Sequence, residues 1–171
     1  MILNDREIIR LVSEGMIKPF VGVLNPFGYD ITLSTKFKFL SKENVLLDPF
    51  HPDLCKWEET ESETFVLQPN SYVLGQSVEY FKIPRDVMCI CFGRSSYARC
   101  GIISNVTPLE AGWEGYITVE VSNLGLAPVR LYPNKGIAQV IFLKGEQPIK
   151  DYSERGGKYH KQLGIQLSKG V

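Results

Sequence analysis

Tyr116-Ile117-Thr118-Val119-Glu120-Val121 alternates polar and apolar residues with a period of two. That period belongs to a β-strand with one buried face, because successive side chains point to opposite sides. Ile117, Val119 and Val121 share the core side, and Thr118 and Glu120 share the other. The same reading extends outward to residues 30–33, 36–40, 63–67, 72–78, 88–92, 129–132 and 138–142, all rich in β-branched and aromatic residues or alternating in polarity. Turn clusters separate them, among them Gln68-Pro69-Asn70, Ile83-Pro84-Arg85-Asp86 and Pro133-Asn134-Lys135-Gly136. Many short strands at regular spacing predict a mainly β fold: a sandwich, a jelly roll or a distorted barrel. One helix is expected, at the N-terminus. Asn4-x-x-Glu7 fits a capping box, Ile8, Ile9, Leu11 and Val12 form an apolar stripe, and Gly15 is a C-terminal stop.

The chain has 171 residues, which suits one domain over 1–171. A core of that size buries about 70% of the unfolded chain's surface, so neither disulfides nor metals are required for stability. Lys plus Arg and Asp plus Glu stand at 19 each, a balance that argues against a general nucleic-acid partner. No apolar run reaches membrane-spanning length, and Met1-Ile2-Leu3 runs into Asn4-Asp5-Arg6-Glu7 without a signal pattern. Cys55, Cys89, Cys91 and Cys100 read as small buried residues of a reduced protein. Together these features predict a cytoplasmic location. The polar stretch 44–63 reads as a surface excursion. Residues 151–171 are polar and Gly-containing, and they suit either a loose tail or a lid that closes on a ligand, with Tyr159, Leu163 and Ile165 as anchors.

The densest chemical signal is Gly93-Arg94-Ser95-Ser96-Tyr97-Ala98-Arg99, directly after an apolar strand. Two guanidinium groups, two hydroxyls and a run of backbone amides suit phosphates, since Arg gives bidentate charge-assisted hydrogen bonds. The same residues could equally cap a helix at a strand end. Glu120 is the second signal: solvated on a strand it does nothing, but partly buried it can carry protons. The third signal is negative. Zinc deaminases need His-x-Glu and Pro-Cys-x-x-Cys, and only His51 and His160 occur, with no Cys-x-x-Cys. Zinc catalysis and a His-based nucleophilic triad are both disfavoured.

The run from Gly93-Arg94-Ser95-Ser96 through Glu110-Ala111-Gly112-Trp113 to Val121-Ser122-Asn123 closely resembles the bacterial dCTP deaminase family. The resemblance continues through residues 136–142 and 157–162, and it reaches back to Met16-Ile17-Lys18-Pro19-Phe20, Tyr29-Asp30 and residues 80–86. It implies a dUTPase-like distorted β-barrel or jelly roll, a homotrimer, and deamination of dCTP to dUTP and ammonia that feeds dUMP and dTTP synthesis. It also implies Mg2+ carried with the triphosphate, no zinc, and dTTP as a candidate feedback inhibitor. Carried over by position, Glu120 matches the proton acceptor and donor, with Ser95 and Arg99 beside it in catalysis. Arg94, Ser95, Ser96, Tyr97, Ala98 and Arg99 form the nucleotide-binding segment, with Ser95 on the attacking water and Arg94 and Ser96 on the phosphates. Glu110 stands near the deoxyribose, and Thr118 and Val119 flank the base. Gln139, Tyr152, Lys158 and Gln162 contact the nucleotide, the last three from a closing tail over 151–171. Two alternatives share this signature: a dUTPase or bifunctional enzyme giving dUMP, and a non-catalytic nucleotide-binding regulator. Val106-Thr107 resembles the deaminase-only relatives, and retention of both Glu120 and Arg99 argues against the regulator.

Overall fold

The computed structural model describes residues 1–43 and 46–170. Asn44 and Val45, at the start of the expected excursion, and Val171 of the tail lie outside the described residues. The chain opens with α1 (Asp5–Ser13), followed by β1 (Ile17–Lys18), β2 (Leu24–Asn25) and β3 (Gly28–Leu40). Then come β4 (Trp57–Glu61), β5 (Phe65–Leu67), β6 (Ser71–Lys82), β7 (Val87–Gly93) and the single turn α2 (Ser95–Ala98). β8 (Ile102–Asn105), β9 (Glu114–Asn123), β10 (Val129–Leu131) and β11 (Gly136–Lys144) complete it.

α1 forms as its ends dictate. The Asn4 side chain accepts from the Glu7 amide at 3.1 Å, and Gly15 follows the helix at φ +97, a conformation that favours glycine. Ile8 and Leu11 are buried, whereas Ile9 is exposed. The expected stripe is therefore narrower, because at 100° per residue Ile9 cannot share the face of Ile8 and Leu11.

The main sheet runs in the order β7-β11-β3-β6-β9-β8, every pairing antiparallel. Its two ends meet: a Cβ built on Gly93 at the end of β7 would lie 3.4 Å from the Ser104 amide of β8. The sheet is thus a nearly closed barrel, and its interior holds Tyr29, Ile31, Leu33, Phe37, Phe81, Ile117, Val119, Val121, Val140 and Phe142. β5 and β10 form a separate two-stranded ribbon. Among the described residues, no helix is long and apolar enough to cross a membrane.

Three differences from the sequence reading have physical causes. The strands expected at 30–33 and 36–40 are one long β3, whose register with β6 shifts between Leu33 and Phe37. The stretch read as a surface excursion contains β4, which pairs with β3 through Lys36↔Glu61 and Lys38↔Glu59. Cross-strand charge pairs, such as Lys38 Nζ to Glu59 at 2.6 Å, let so polar a segment join a sheet. The helix-cap reading of Gly93-Arg94-Ser95-Ser96 holds only in part: α2 follows, but Arg94 is its N-cap and makes no side-chain capping bond.

A buried carboxylate stitches the barrel where β6 bulges. The register of β6 on β9 shifts between Gln76 and Tyr80, and Glu79 sits inside this irregularity with no exposure. Tyr29 Oη donates to Glu79 Oε1 at 2.9 Å and the Thr32 amide to Oε2 at 3.1 Å. Ser77 Oγ donates to the Glu79 carbonyl and accepts from the Ile117 amide. The amides of Val21 and Gly22 in turn donate to Tyr29 Oη, which ties the 19–23 loop to the same network. Burial pushes the Glu79 carboxyl up from its ordinary range.

Candidate active site

The residues of β9 alternate strictly between half-buried and buried. Val119 and Val121 enter the core, while Thr118, Glu120 and Ser122 share the outer face. On that face Glu120 stands between Asn105 of β8 and Leu74 of β6, and Thr118 stands opposite Gln76. Asn105 Nδ2 donates to Glu120 Oε2, the one hydrogen bond of this carboxylate among the described residues. The charge of Glu120 also reaches Tyr72, whose phenol is raised by burial first and by Cys55 and Glu120 next.

The tail closes over this face. The main chain of Gln162 forms a parallel bridge with Gly115, and the Tyr116 amide donates to its carbonyl at 3.0 Å. Gln162 Nε2 donates to the Tyr116 carbonyl, and the Gln166 amide to Thr118 Oγ1 at 3.0 Å. Gly115 has φ +153, and a Cβ there would meet Gln162 Cγ at 2.8 Å, so the close approach requires glycine. Further back, Trp113 Nε1 donates to the Tyr159 carbonyl and the Tyr159 amide to Tyr152 Oη, each at 3.0 Å. The tail is therefore docked, not loose. Its apolar anchor is Ile165, which is buried; Leu163, expected to help, is 78% exposed. Lys158 is exposed, and its Nζ donates to the Gly170 carbonyl at 3.1 Å.

A second polar cluster forms at the end of β7. Arg94 Nη1 lies 3.1 Å from Asp30 Oδ2, and Asn25 Nδ2 donates to Asp30 Oδ1 at 2.9 Å. Gly136 leaves room for the guanidinium: a Cβ there would lie 2.6 Å from Nη1. Gln139 joins this cluster, pairing with Asp30 on one side and Phe92 on the other. Ser95, Ser96, Ala98 and Arg99 are exposed, and among the described residues the side chains of Ser95, Ser96 and Arg99 make no hydrogen bond or ion pair. Tyr97 serves the fold, since its hydroxyl accepts from the Tyr132 amide at 3.1 Å. Glu110 is exposed at the turn before Trp113.

The sequence-predicted residues thus fall into two groups. Glu120, Thr118, Gln162 and Tyr152 gather around β9 and the tail, while Arg94 and Gln139 gather with Asp30. Among the described residues no hydrogen bond or ion pair joins the 94–99 segment to Glu120. The Val119 side chain is fully buried in the core, so only its main chain can touch a ligand. Asn105, Gln76 and Gln166 escaped the sequence reading, and Asp30 entered it only within the Tyr29-Asp30 match, because their places follow from cross-strand register and tail docking, which no local pattern encodes. Among the described residues no three His, Cys, Asp or Glu side chains cluster as a metal-holding group.

Comparison with known proteins agrees with this architecture. The sequence model of the dCTP deaminase-like family matches residues 2–145. The dCTP deaminase of Herpetosiphon aurantiacus is 45% identical over 95% of this chain and 96% of its own length. That of Chloroflexus aggregans is 46% identical over 96% of this chain and 95% of its own. Among solved structures, the 2'-deoxycytidine 5'-triphosphate deaminase of Agrobacterium tumefaciens superposes with a TM-score of 0.69 at 21% identity. It covers 84% of this chain, which spans about half, 48%, of that longer one. The dUTPase of Staphylococcus bacteriophage 80alpha shares the fold at a TM-score of 0.54 and 15% identity, over 78% of this chain and 84% of its own. With its nearly closed dUTPase-like barrel and a match over most of its length, the chain belongs to the dCTP deaminase-like family.

Proposed function

We propose that this chain is a dCTP deaminase that converts dCTP and water to dUTP and ammonia without zinc. One observation carries the chemistry: the Glu120 carboxylate stands on the polar face of β9, one oxygen held by Asn105 and the other open, next to Thr118, on which the tail docks. Water is a poor nucleophile toward carbon 4 of cytosine. Ionised Glu120 takes a proton from it as it attacks and passes that proton to ring nitrogen 3. Glu120 then takes the proton of the new hydroxyl on carbon 4 and passes it to the amino group, which leaves as ammonia while the carbon–oxygen bond becomes the carbonyl of dUTP. Proton transfer of this kind contributes about 10²–10⁴-fold, and positioning of the water by Ser95 and of the base by Thr118 and the main chain of Val119 supplies more. Arg94, Ser96 and Arg99 bind the triphosphate with its magnesium, which enters as part of the substrate. Tyr97 and Ala98 carry this segment's main chain along the nucleotide. Gln139, Glu110, Tyr152, Lys158 and Gln162 complete the enclosure.

The working enzyme is a cytoplasmic homotrimer, with no nucleic acid or membrane partner, open to feedback by dTTP. Four free cysteines support a reducing compartment. The triphosphate stays intact, because Val106 is buried beneath the turn it shares with Thr107 and Pro108. That anchor supports a turn too fixed to admit a second water to the α-phosphate. The test supplies dCTP and dUTP separately with magnesium and separates the products by chromatography. Ammonia and dUTP from dCTP, with dUTP untouched, is the expected result. dUMP and pyrophosphate from either substrate would place the chain with bifunctional enzymes or dUTPases, and unchanged dCTP that nonetheless binds would make it a regulator.

A further inference from the structure

Glu120 has two tasks under the proposed reaction, and each sets a requirement on its carboxylate. It must be ionised when water arrives, and its free oxygen must face water first and ring nitrogen 3 afterwards. On an open strand face a Glu side chain samples several rotamers, so something has to hold it. Asn105 is the residue placed to do so. It is the cross-strand partner of Glu120 in the β8–β9 register, and directly opposed side chains on one face of an antiparallel pair lie close enough to interact. Its Nδ2 donates to Oε2 and leaves Oε1 open. The side chains flanking Glu120 on this face are Leu74 across β6 and Thr118 and Ser122 along β9. Leu74 cannot donate, and among the described residues neither Thr118 Oγ1, which accepts from the Gln166 amide, nor Ser122 makes a hydrogen bond to Glu120.

We infer that Asn105 is a positioning residue for the deamination, fixing the orientation of Glu120 without touching substrate. The inference rests on the reading of Glu120 as the proton carrier. A neutral amide suits the task. Its Nδ2 holds one carboxylate oxygen without adding charge to this face, and the other oxygen stays open.

The test compares wild type with Asn105→Ala, Asn105→Asp and Glu120→Gln, each as the full-length assembled enzyme. Steady-state kinetics with dCTP and magnesium are measured across pH, with urea midpoints as a check on folding. Asn105→Ala is expected to lower kcat about tenfold, the scale of one charge-assisted hydrogen bond, with KM nearly unchanged. Its urea midpoint should stay near wild type, so that the loss falls on kcat alone. Asn105→Asp preserves shape but removes the donor and puts a like charge beside Glu120, so it should be slower still. A merely structural role would lower the urea midpoint or raise KM along with the fall in kcat, and either outcome overturns the inference, as does wild-type kcat in both Asn105 variants. If Glu120→Gln turns over normally, the underlying reading of Glu120 fails instead.

Discussion

At the scale of single residues, charge and burial divide the labour. Arg94 is held by Asp30, itself fixed by Asn25 and buried, so the guanidinium is aimed before any ligand arrives. Arg94→Ala should therefore weaken dCTP binding far more than deoxycytidine binding, because a charge-assisted contact to phosphate is lost. Calorimetry with both ligands decides it, and equal losses would remove Arg94 from the phosphate site. Glu79 illustrates a different use of charge. Burial raises its folded pKa above the ordinary carboxylate value, so between those two values the folded state binds more protons than the unfolded chain. Its contribution to stability is then fullest below the ordinary carboxylate pKa of about 4.3. It declines as pH rises through the raised value. Glu79→Gln keeps an acceptor for Tyr29 and Thr32 but cannot ionise. Relative to this variant, the wild type should lose stability as pH climbs above about 4.3, read as urea midpoints over pH 4–8. A constant difference between the two proteins across that range would contradict the raised pKa.

At the scale of elements, periodicity shows where the sequence was readable. Strict alternation at 116–121 gave both the strand and the side on which Glu120 stands, and the Asn4 cap gave α1, because both signals are local. β4 was hidden because Trp57-Glu58-Glu59-Thr60-Glu61 is too polar to read as a strand until Lys36 and Lys38 lie beside it. Asn105 was hidden for the same reason, since its importance comes from facing Glu120 across a register fixed by distant residues. The tail left two readings open, and docking through Gln162, Ile165 and Gln166 shows which contacts close it. Its sequence also carries a steric demand: a Cβ on Gly157 would sit 2.1 Å from the Tyr152 ring. Deleting residues 152–171 should leave a folded barrel, because the sheet and nearly all of its core lie before residue 145. Turnover should collapse, since the tail's contacts on Tyr116 and Thr118, beside Glu120, are gone. Circular dichroism and product formation test the pair of expectations. Loss of the β signal on truncation would make residues 152–171 part of the fold instead of a lid.

At the scale of the whole molecule, one chain holds the parts of the site without bringing them together. Glu120 has Asn105 for its hydrogen bond, Arg94 is paired with Asp30, and the exposed Ser95, Ser96 and Arg99 side chains contact nothing polar among the described residues. Meanwhile β7, the strand that delivers Arg94, shows Met88, Ile90 and Phe92 on its outer face, exposed by 39%, 36% and 56%. Apolar side chains in a row beside a binding segment suit burial against another copy of the chain. A homotrimer would cover them while presenting the 94–99 segment of one subunit to the Glu120 face of the next. The prediction has two parts. The mass in solution, by light scattering, should be three times that of the chain. Glu120→Gln and Arg99→Ala trimers should each be nearly inactive, yet subunits of the two, dissociated and reassembled together, should recover dCTP turnover, because some shared sites then receive intact residues from both partners. Arg99 is the better partner for this experiment than Arg94, whose loss would also release Asp30. Reassembly without recovery would mean that each chain completes its own site, and full activity from a monomer would dismiss the shared site altogether.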